Sequence, residues 1–183
     1  MRLATRGLPA LFFCVGWILG YWSAHRIEAI PAAFEPAAVE VARAMLRLAQ
    51  VEPGELVADL GCGDGRIVVI AARDFGARGL CVERDAVLVA EAKTNARLAG
   101  VADRIEFVHG DLFEVDWADA DVVTVYLTKP LNRRLEPLLR SRLARGSRVV
   151  SLDHEFPEWR PGLSEQVRAN GRDFWMHRFD VGR

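Results

Sequence analysis

Short apolar runs alternate along this chain with longer segments in which apolar residues recur every three or four positions. The short runs are typical of buried parallel strands, and the longer segments predict amphipathic helices. The predicted order from residue 37 is helix 37–49, strand 56–60, helix 64–74, strand 78–83, helix 86–99, strand 105–109, strand 121–127, helix 131–143 and strand 147–152. Helices and strands therefore alternate through most of the chain.

This alternation predicts an α/β fold with a doubly wound, mostly parallel, Rossmann-like sheet. Strands that are joined by short helical crossovers lie parallel and place helices on both faces of the sheet. The last part of the chain departs from the pattern, because residues 164–169 and 172–181 flank Asn170-Gly171, a pair that accepts the positive φ angles of a two-residue turn. We therefore predict that an antiparallel hairpin ends the sheet.

The N-terminus has a different pattern. Residues 7–24 contain no charged side chain and show no polar stripe, and Tyr21 and Trp22 near their end fit the membrane interface. A cleaved signal peptide is one alternative, but a cut after Ala24 would place Trp22 where a small residue is required. A buried core helix is another, but it should carry a polar stripe. We predict an uncleaved transmembrane helix, which divides the chain into an anchor (1–25), a linker (26–36) and an α/β domain (37–183).

Charge and cysteine content exclude some classes of function. The chain has 183 residues and a net charge of -1, whereas a nucleic-acid-binding surface needs concentrated positive charge. The three cysteines, Cys14, Cys62 and Cys81, form no CxxC pair and no Cys/His cluster. We therefore predict no nucleic-acid partner, no metal and no disulfide framework, with the cysteines acting as small apolar residues in a reducing compartment.

The candidate chemistry is concentrated directly after the first predicted strand, in the sequence VADLGCGDGR (57–66). Its glycines permit a tight turn and let a ligand approach the backbone, next to the free N–H groups of a helix N-terminus. Arg66 stands where the dinucleotide motif needs its third glycine, and the Gly-Lys-Ser/Thr of a phosphate-binding P-loop is absent. Asp59 and Asp64 add negative charge, which disfavours a pyrophosphate.

The segment DLGCGDGR resembles the glycine motif of class I S-adenosylmethionine-dependent methyltransferases. That cofactor carries cationic sulfonium and ammonium groups, which suit a loop flanked by acids. The resemblance implies that Glu83, at the end of the second strand, accepts hydrogen bonds from the ribose hydroxyls, that Asp111 binds the adenine amino group and that apolar neighbours cover the ring. The implied binding residues for S-adenosyl-L-methionine are Asp59, Gly61, Cys62, Gly63, Gly65, Glu83, Arg84, Asp111 and Leu112.

A narrower resemblance covers nearly the whole chain. The apolar N-terminus, DLGCGDGRIV, GVADRIEFVHGDLF, TVYLTKPLN and GSRVVS are similar to a membrane-anchored family that includes the ATP synthase c-subunit and adenine nucleotide translocase lysine methyltransferases and bacterial relatives. The resemblance implies protein-lysine N-methylation of a membrane-associated substrate. The chain departs from the family at Phe34-Glu35-Pro36, where a hydroxyl residue often precedes the proline.

The exit from the fourth strand lies beside the first strand in this topology and should face the methyl group. Methyl transfer to an amine depends on positioning and on a neutral nucleophile. We predict that Tyr126 orients the substrate and that Thr128 assists, although Tyr126 is equally well explained as an ordinary strand aromatic. Asp153 and His154, after the fifth strand, are further candidates for lining the pocket. We favour a surface or hydrogen-bonded role for His154 over that of a general base.

Two alternatives stay open: a methyltransferase of a small or lipid-like substrate at the membrane, and a cofactor-binding module without catalysis. The predicted anchor makes the membrane a partner. Arg2 and Arg6 favour a cytoplasmic N-terminus by the positive-inside rule, but S-adenosylmethionine is made in the cytosol. We therefore predict a single-pass protein of the bacterial inner membrane whose catalytic domain faces the cytoplasm, with a mitochondrial membrane as the alternative.

Overall fold

The computed structural model describes residues 35–182, and these form one seven-stranded sheet flanked by helices. The α-helices are α1 (Val39–Leu48), α2 (Arg66–Phe75), α3 (Ala86–Leu98) and α4 (Lys129–Arg142), with a short 3-10 helix at Ala102–Arg104. The strands are β1 (Leu56–Leu60), β2 (Arg78–Glu83), β3 (Ile105–His109), β4 (Val122–Val125), β5 (Arg148–Leu152), β6 (Leu163–Ala169) and β7 (Arg172–Asp180).

The strand order is β3-β2-β1-β4-β5-β7-β6. Strands β1 to β5 are mutually parallel, and β7 runs antiparallel to both β5 and β6. The predicted mostly parallel sheet with a C-terminal hairpin is therefore confirmed. The chain reverses its direction of winding between β1 and β4, and in such sheets a crevice opens at the carboxyl ends of those two strands.

Successive residues of each strand point to opposite faces, so two separate cores form. Val57 of β1 packs with α1 and α2, and the next residue, Ala58, joins a cluster that contains Leu135 and Leu139 of α4. A third cluster packs α2 and α3 against β2 and β3. With both faces covered, the open positions for a ligand are at the strand ends.

The C-terminal hairpin extends past the carboxyl edge of the parallel strands. β7 pairs with β5 from Arg148↔Asp180 to Leu152↔Met176, so the residues of β7 before Met176 lie beyond the end of β5. The turn at Asn170-Gly171 has positive φ at both positions, as predicted. The hairpin thereby brings the start of β7 to the crevice.

Two element boundaries near the crevice differ from the predictions. Helix α2 begins at Arg66 rather than at residue 64, because Gly65 adopts a left-handed conformation (φ 75°) and caps the helix. β4 ends at Val125, so Tyr126 leaves the strand although the apolar run continues. As a result, Asp64 and Tyr126 lie outside helix and strand, next to the crevice.

The prediction that no disulfide forms was wrong. Cys62 and Cys81 are joined by a disulfide, with their Cα atoms 5.4 Å apart. The parallel register pairs Asp59 with Cys81, and the turn after β1 folds back over β2, where the N–H groups of Gly61 and Cys62 both donate to the carbonyl oxygen of Val82. The contact depends on strand neighbours, which cysteine spacing alone does not reveal.

The predicted transmembrane anchor and almost all of the predicted linker lie outside the described residues. Within residues 35–182, none of the helices has the length and apolar character needed to cross a bilayer.

Candidate active site

The loop after β1 has a shape that requires glycine at two positions. Gly61 and Gly65 both have positive φ, 83° and 75°. A Cβ on Gly65 would lie 2.8 Å from the Cβ of Ala92 on α3, and one on Gly61 would lie 3.0 Å from the Leu127 side chain. The loop is therefore clamped between α3 and the exit of β4, and its backbone is exposed to whatever occupies the crevice.

Glu83 lies at the end of β2 and is buried. Its Oε2 accepts a hydrogen bond from the N–H of Gly63 at 3.0 Å, and its Oε1 accepts from the N–H groups of Arg84 and Asp85 at 2.8 and 2.9 Å. A carboxylate offers about four acceptor positions, so one position on Oε2 is left for a ligand hydroxyl. The backbone thus holds Glu83 against the glycine loop in one orientation.

Asp59 is buried at the end of β1, and its Oδ1 accepts a hydrogen bond from the hydroxyl of Thr124 at 2.8 Å. Burial raises the pKa of Asp59 to about 7, and the negative charges of Asp64 and Glu83 also raise it, while the Thr124 hydrogen bond opposes them. A cation in the crevice would therefore be attracted by Asp59 and its acidic neighbours. Thr124 lies opposite Asp59 in the β1–β4 register and was not predicted from the sequence.

Arg66 has a role that the sequence did not reveal. Its guanidinium pairs with the carboxylate of Asp64, with Nε 2.9 Å from Oδ1, and donates to the carbonyl oxygen of Ala37 at 2.6 Å. The pair offsets part of the negative charge of the loop. It also ties the segment before α1 to the start of α2, so this segment forms one wall of the crevice.

The predicted adenine side lies at the end of β3. The parallel register pairs Glu83 with His109, and the N–H of Gly110 donates to the Glu83 carbonyl at 3.0 Å, so the Gly110-Asp111-Leu112 turn lies next to the end of β2. Asp111 is exposed, and its Oδ1 accepts from the N–H of Phe113 at 2.9 Å. Leu112 is half-buried. All the predicted cofactor residues therefore belong to the carboxyl edge of β1, β2 and β3.

Tyr126 and Thr128 follow β4 at the same edge. Tyr126 is half-buried, and burial, with a smaller effect from Glu35, raises the pKa of its phenol, which Arg172 opposes. Thr128 caps α4 through its carbonyl oxygen, which accepts from the N–H of Asn132 at 2.9 Å. Its side chain makes no capping bond. The predicted substrate-side pair therefore lies on the segment between β4 and α4.

Asp153, after β5, is brought to Tyr126 by Arg172. Its Oδ2 lies 2.5 Å from Nη2 of Arg172, and the same nitrogen lies 3.5 Å from the Tyr126 hydroxyl. Glu35 contacts the other terminal nitrogen of Arg172 at 2.5 Å. Neither Glu35 nor Arg172 was predicted as a site residue. Only the antiparallel pairing of β7 with β5 could have indicated that Arg172 reaches this edge.

His154 does not join this cluster through its ring. Its carbonyl oxygen accepts hydrogen bonds from the Ser151 hydroxyl and from the side chain of Asn132, and its ring Nδ1 is buried without a hydrogen-bond partner within the described part of the chain. The described residues thus give the His154 ring no hydrogen bond at Nδ1, and the preference for a surface or hydrogen-bonded role over that of a general base stays a prediction.

A cavity of about 610 Å³ opens beside Asp153. The Trp175 and His177 rings line it and stack with centroids 6.4 Å apart, and Trp175 is about half exposed. Lys129, at the start of α4, also lines the cavity. This volume is in the range of ligand pockets and offers room for an acceptor group next to the β4 exit. Residues 35–182 contain no cluster of side chains suited to binding a metal.

Comparison with known proteins identifies the family to which this chain belongs. A family model described as the ANTKMT methyltransferase domain matches residues 59–163. A protein-lysine N-methyltransferase of Saccharolobus islandicus is 41% identical over 150 residues, which cover 81% of this chain and 93% of that protein. The adenine nucleotide translocase lysine N-methyltransferase of Mus musculus is 37% identical over 118 residues, and the match covers 64% of this chain and only 51% of that protein.

The solved structures include close relatives of this fold. An RNA methyltransferase from Salinibacter ruber in complex with S-adenosyl-L-homocysteine has a TM-score of 0.75 and 44% identity, and the match covers 80% of this chain and 94% of that one. The chain belongs to the ANTKMT methyltransferase family, has the class I methyltransferase fold and is an S-adenosylmethionine-dependent methyltransferase. The family resemblance and the cofactor predicted from the sequence are confirmed.

The crevice fits this cofactor on two observations. The glycine loop leaves a cradle that a Cβ at Gly61 or Gly65 would distort. The buried Asp59, with a pKa of about 7, lies in an acidic environment that a sulfonium or ammonium group would neutralise.

We expect S-adenosylmethionine affinity to fall as the pH is lowered below 7. A cationic ligand favours the ionised form of Asp59, and this group is increasingly protonated in the free protein below its pKa of about 7. Calorimetry between pH 5.5 and 7.5 should show the dissociation constant rising by up to about tenfold per pH unit. Asp59→Asn, which cannot titrate, should give a flat profile, whereas a flat profile in the natural protein would contradict the assignment.

We expect Gly65→Ala to destabilise the protein more than Gly54→Ala does. Both residues have positive φ, but a Cβ on Gly54 meets nothing within 4 Å, and a Cβ on Gly65 collides with Ala92. Urea unfolding should show a loss of about 1 kcal/mol for Gly54→Ala and about 2–4 kcal/mol for Gly65→Ala. Equal losses would mean that α3 does not clamp the loop.

Proposed function

We propose that this member of the ANTKMT methyltransferase family transfers the methyl group of S-adenosylmethionine to a lysine side chain of a protein. The observation that carries the proposal is the pair of carboxylates, Glu35 and Asp153, beside the hydroxyl of Tyr126 at the acceptor side of the crevice. Two carboxylates and a phenol favour a cationic acceptor such as an ammonium group. The names of the S. islandicus and mouse relatives support the same substrate class.

We assign cofactor contacts to the residues at the carboxyl edge of β1 to β3. Asp59 attracts the positive charge of the cofactor, the loop from Gly61 to Gly65 cradles it through backbone groups, and Glu83 accepts from a ribose hydroxyl. Asp111 and Leu112 contact the adenine, and Cys62 and Arg84 contribute backbone positions next to the loop and to Glu83. When bound, the cofactor supplies an electrophilic methyl group on a cationic sulfur.

The acceptor nitrogen must lose a proton before it can attack. A lysine ammonium has a pKa near 10.4 in water. Partial burial and the nearby sulfonium charge lower this pKa, whereas Glu35 and Asp153, which attract the ammonium group, raise it. The raised pKa of Tyr126 keeps its phenol protonated at neutral pH, so its oxygen orients the amine and does not act as a base. Transfer would form one N–C bond for the C–S bond broken in the cofactor, and the proton lost by the ammonium group would pass to solvent.

The Salinibacter relative, titled an RNA methyltransferase, raises a second candidate substrate. The net charge of -1 disfavours an RNA phosphate backbone, which binds through concentrated positive charge, and the basic Lys129 and Arg133 of the cavity are matched there by the acidic Asp153 and Glu155. Protein lysine is therefore the better-supported acceptor. RNA and lipid are outcomes that the labelling experiment distinguishes.

We further propose that residues 1–25 anchor the domain in a membrane, so that substrates are membrane-associated proteins and the domain faces the cytoplasm. The support is the uncharged stretch at 7–24 with aromatic residues at its end.

We expect methyl label to enter protein and not RNA or lipid. Membranes and total RNA from a deletion strain are incubated with the full chain and tritiated-methyl S-adenosylmethionine, and then fractionated. Mass spectrometry of labelled bands should identify methyl-lysine. Tyr126→Phe should slow labelling by about tenfold, because one hydrogen bond to the acceptor is lost, and Thr128→Val should slow it less. Label in the RNA or lipid fraction would refute the lysine assignment.

We expect the full chain to sediment with membranes after a carbonate wash. A double substitution, Val15→Arg with Ile18→Arg, should release it to the supernatant, because each charge at the centre of a helix costs about 2.5–3.5 kcal/mol of insertion free energy. Recovery of the unsubstituted protein in the supernatant would exclude an anchor.

A further inference from the structure

One guanidinium holds together the acceptor side of the crevice. Arg172 contacts the carboxylates of Glu35 and Asp153, each at 2.5 Å, and its Nη2 lies 3.5 Å from the Tyr126 hydroxyl. These partners come from the segment before α1, from the exit of β5 and from the exit of β4. A single cation therefore bridges three parts of the chain at the place where the acceptor must bind.

Of the two carboxylates, Asp153 is the one that needs a cation at this place, because 61% of the Glu35 side chain is exposed to solvent. Asp153 is mostly buried, with 13% of its side chain exposed, and its other oxygen already accepts a hydrogen bond from the N–H of Trp175 at 3.1 Å. With no positive group between them, Glu35 and Asp153 would repel each other beside the poorly solvated phenol of Tyr126. In the protein without substrate, Arg172 supplies that charge.

Arg172 itself is not fixed by the core. It is the first residue of β7 after the Asn170-Gly171 turn, and 48% of its side chain is exposed. Its guanidinium carbon lies 4.5 Å from the centre of the Phe174 ring, a cation–π contact made at the same time as the two carboxylate contacts. A long, exposed side chain at the end of a hairpin can leave the cluster without unfolding any element.

We propose that Arg172 occupies the binding position of the acceptor ammonium in the substrate-free enzyme and that the acceptor cation displaces it. The inference rests on the proposed lysine specificity. Arg172 is then a positioning and specificity residue: it keeps Glu35, Tyr126 and Asp153 together, and it admits only ligands that bring a cation to replace its own charge. A neutral acceptor, by contrast, would leave two carboxylates unpaired.

Asp153 connects this cluster with the cavity of about 610 Å³. Its Oδ2 contacts Arg172, and its Oδ1 accepts a hydrogen bond from the N–H of Trp175, whose ring lines the cavity. Because successive residues of β7 face opposite sides, the cavity and Arg172 approach this carboxylate from opposite faces of the strand. The exchange replaces one cation by another at the same carboxylate. Competition of this kind multiplies the apparent affinity for the acceptor by the fraction of molecules in which Arg172 has left the site.

The test measures binding of n-butylammonium, which has the chain length and charge of a lysine side chain, to the full chain saturated with S-adenosylhomocysteine. Calorimetry at constant ionic strength should give about five- to tenfold tighter binding for Arg172→Ala and for the longer Arg172→Gln than for the natural protein. Arg172→Lys keeps the charge and should resemble the natural protein. Neutral n-butanol should not bind detectably to any of them.

Arg168→Ala is the matched control. Arg168 lies on the same hairpin and pairs with the exposed Asp173, and 70% of its side chain is exposed. Its removal changes the net charge equally but leaves the cluster intact, so the affinity for n-butylammonium should stay within about twofold of the natural value. An equal gain for Arg168→Ala and Arg172→Ala would reduce the effect to general electrostatics and overturn the proposal.

A second readout separates displacement from a purely structural role. Guanidinium chloride at millimolar concentration should compete with n-butylammonium in Arg172→Ala, because it refills the vacated position, and should have much less effect on the natural protein. Unchanged or weaker n-butylammonium binding in both Arg172→Ala and Arg172→Gln would overturn the inference even if methyl-lysine is found. The expected binding without any methyl-lysine product would instead refute the proposed function.

Discussion

The parallel pairing of β1 with β2 on one side and with β4 on the other determines the geometry of the active site. It places Asp59 opposite Thr124 and turns the loop after β1 back onto Val82, so that Gly63 meets Glu83. It also fixes where β4 ends and hence where Tyr126 leaves the sheet. The positions of the cofactor side and of the acceptor side thus both follow from the parallel pairing of β1 with β2 on one edge and with β4 on the other.

The same arrangement carries an electrostatic cost that a methyl donor with a positive charge can offset. Folding raises the pKa of Asp59 to about 7, so the ionised form of this group destabilises the folded protein. Above pH 7, where Asp59 is ionised, the free energy of unfolding is roughly 4 kcal/mol lower than at a pH at which Asp59 is protonated in both the folded and the unfolded state. A protein built for stability alone would not bury Asp59 near Asp64 and Glu83. The hydrogen bond from Thr124 to Asp59 and the Arg66 guanidinium beside Asp64 offset part of this loss of stability. The negative charge that is not offset favours binding of a cationic ligand.

The sequence predicted what depends on local pattern. Apolar runs located β1, β2 and β3 at their observed bounds, and Asn170-Gly171 located the hairpin. The prediction extended β4 too far because Leu127 continues its apolar run after the strand has ended. The disulfide was missed because Cys62 and Cys81 meet only through strand order. The contact of Glu35 with Arg172 spans 137 positions of the chain and needs the antiparallel register of β7, which no periodicity reports.

The disulfide has a mechanical consequence. Joining Cys62 to Cys81 closes residues 62–81 into a covalent ring that contains all of α2. The ring cannot open at the junction of the glycine loop and β2 even when the hydrogen bonds to Val82 break. The wall on the cofactor side is therefore held covalently at this junction, whereas the tip of the β6–β7 hairpin, on the acceptor side, carries no such cross-link among the described residues.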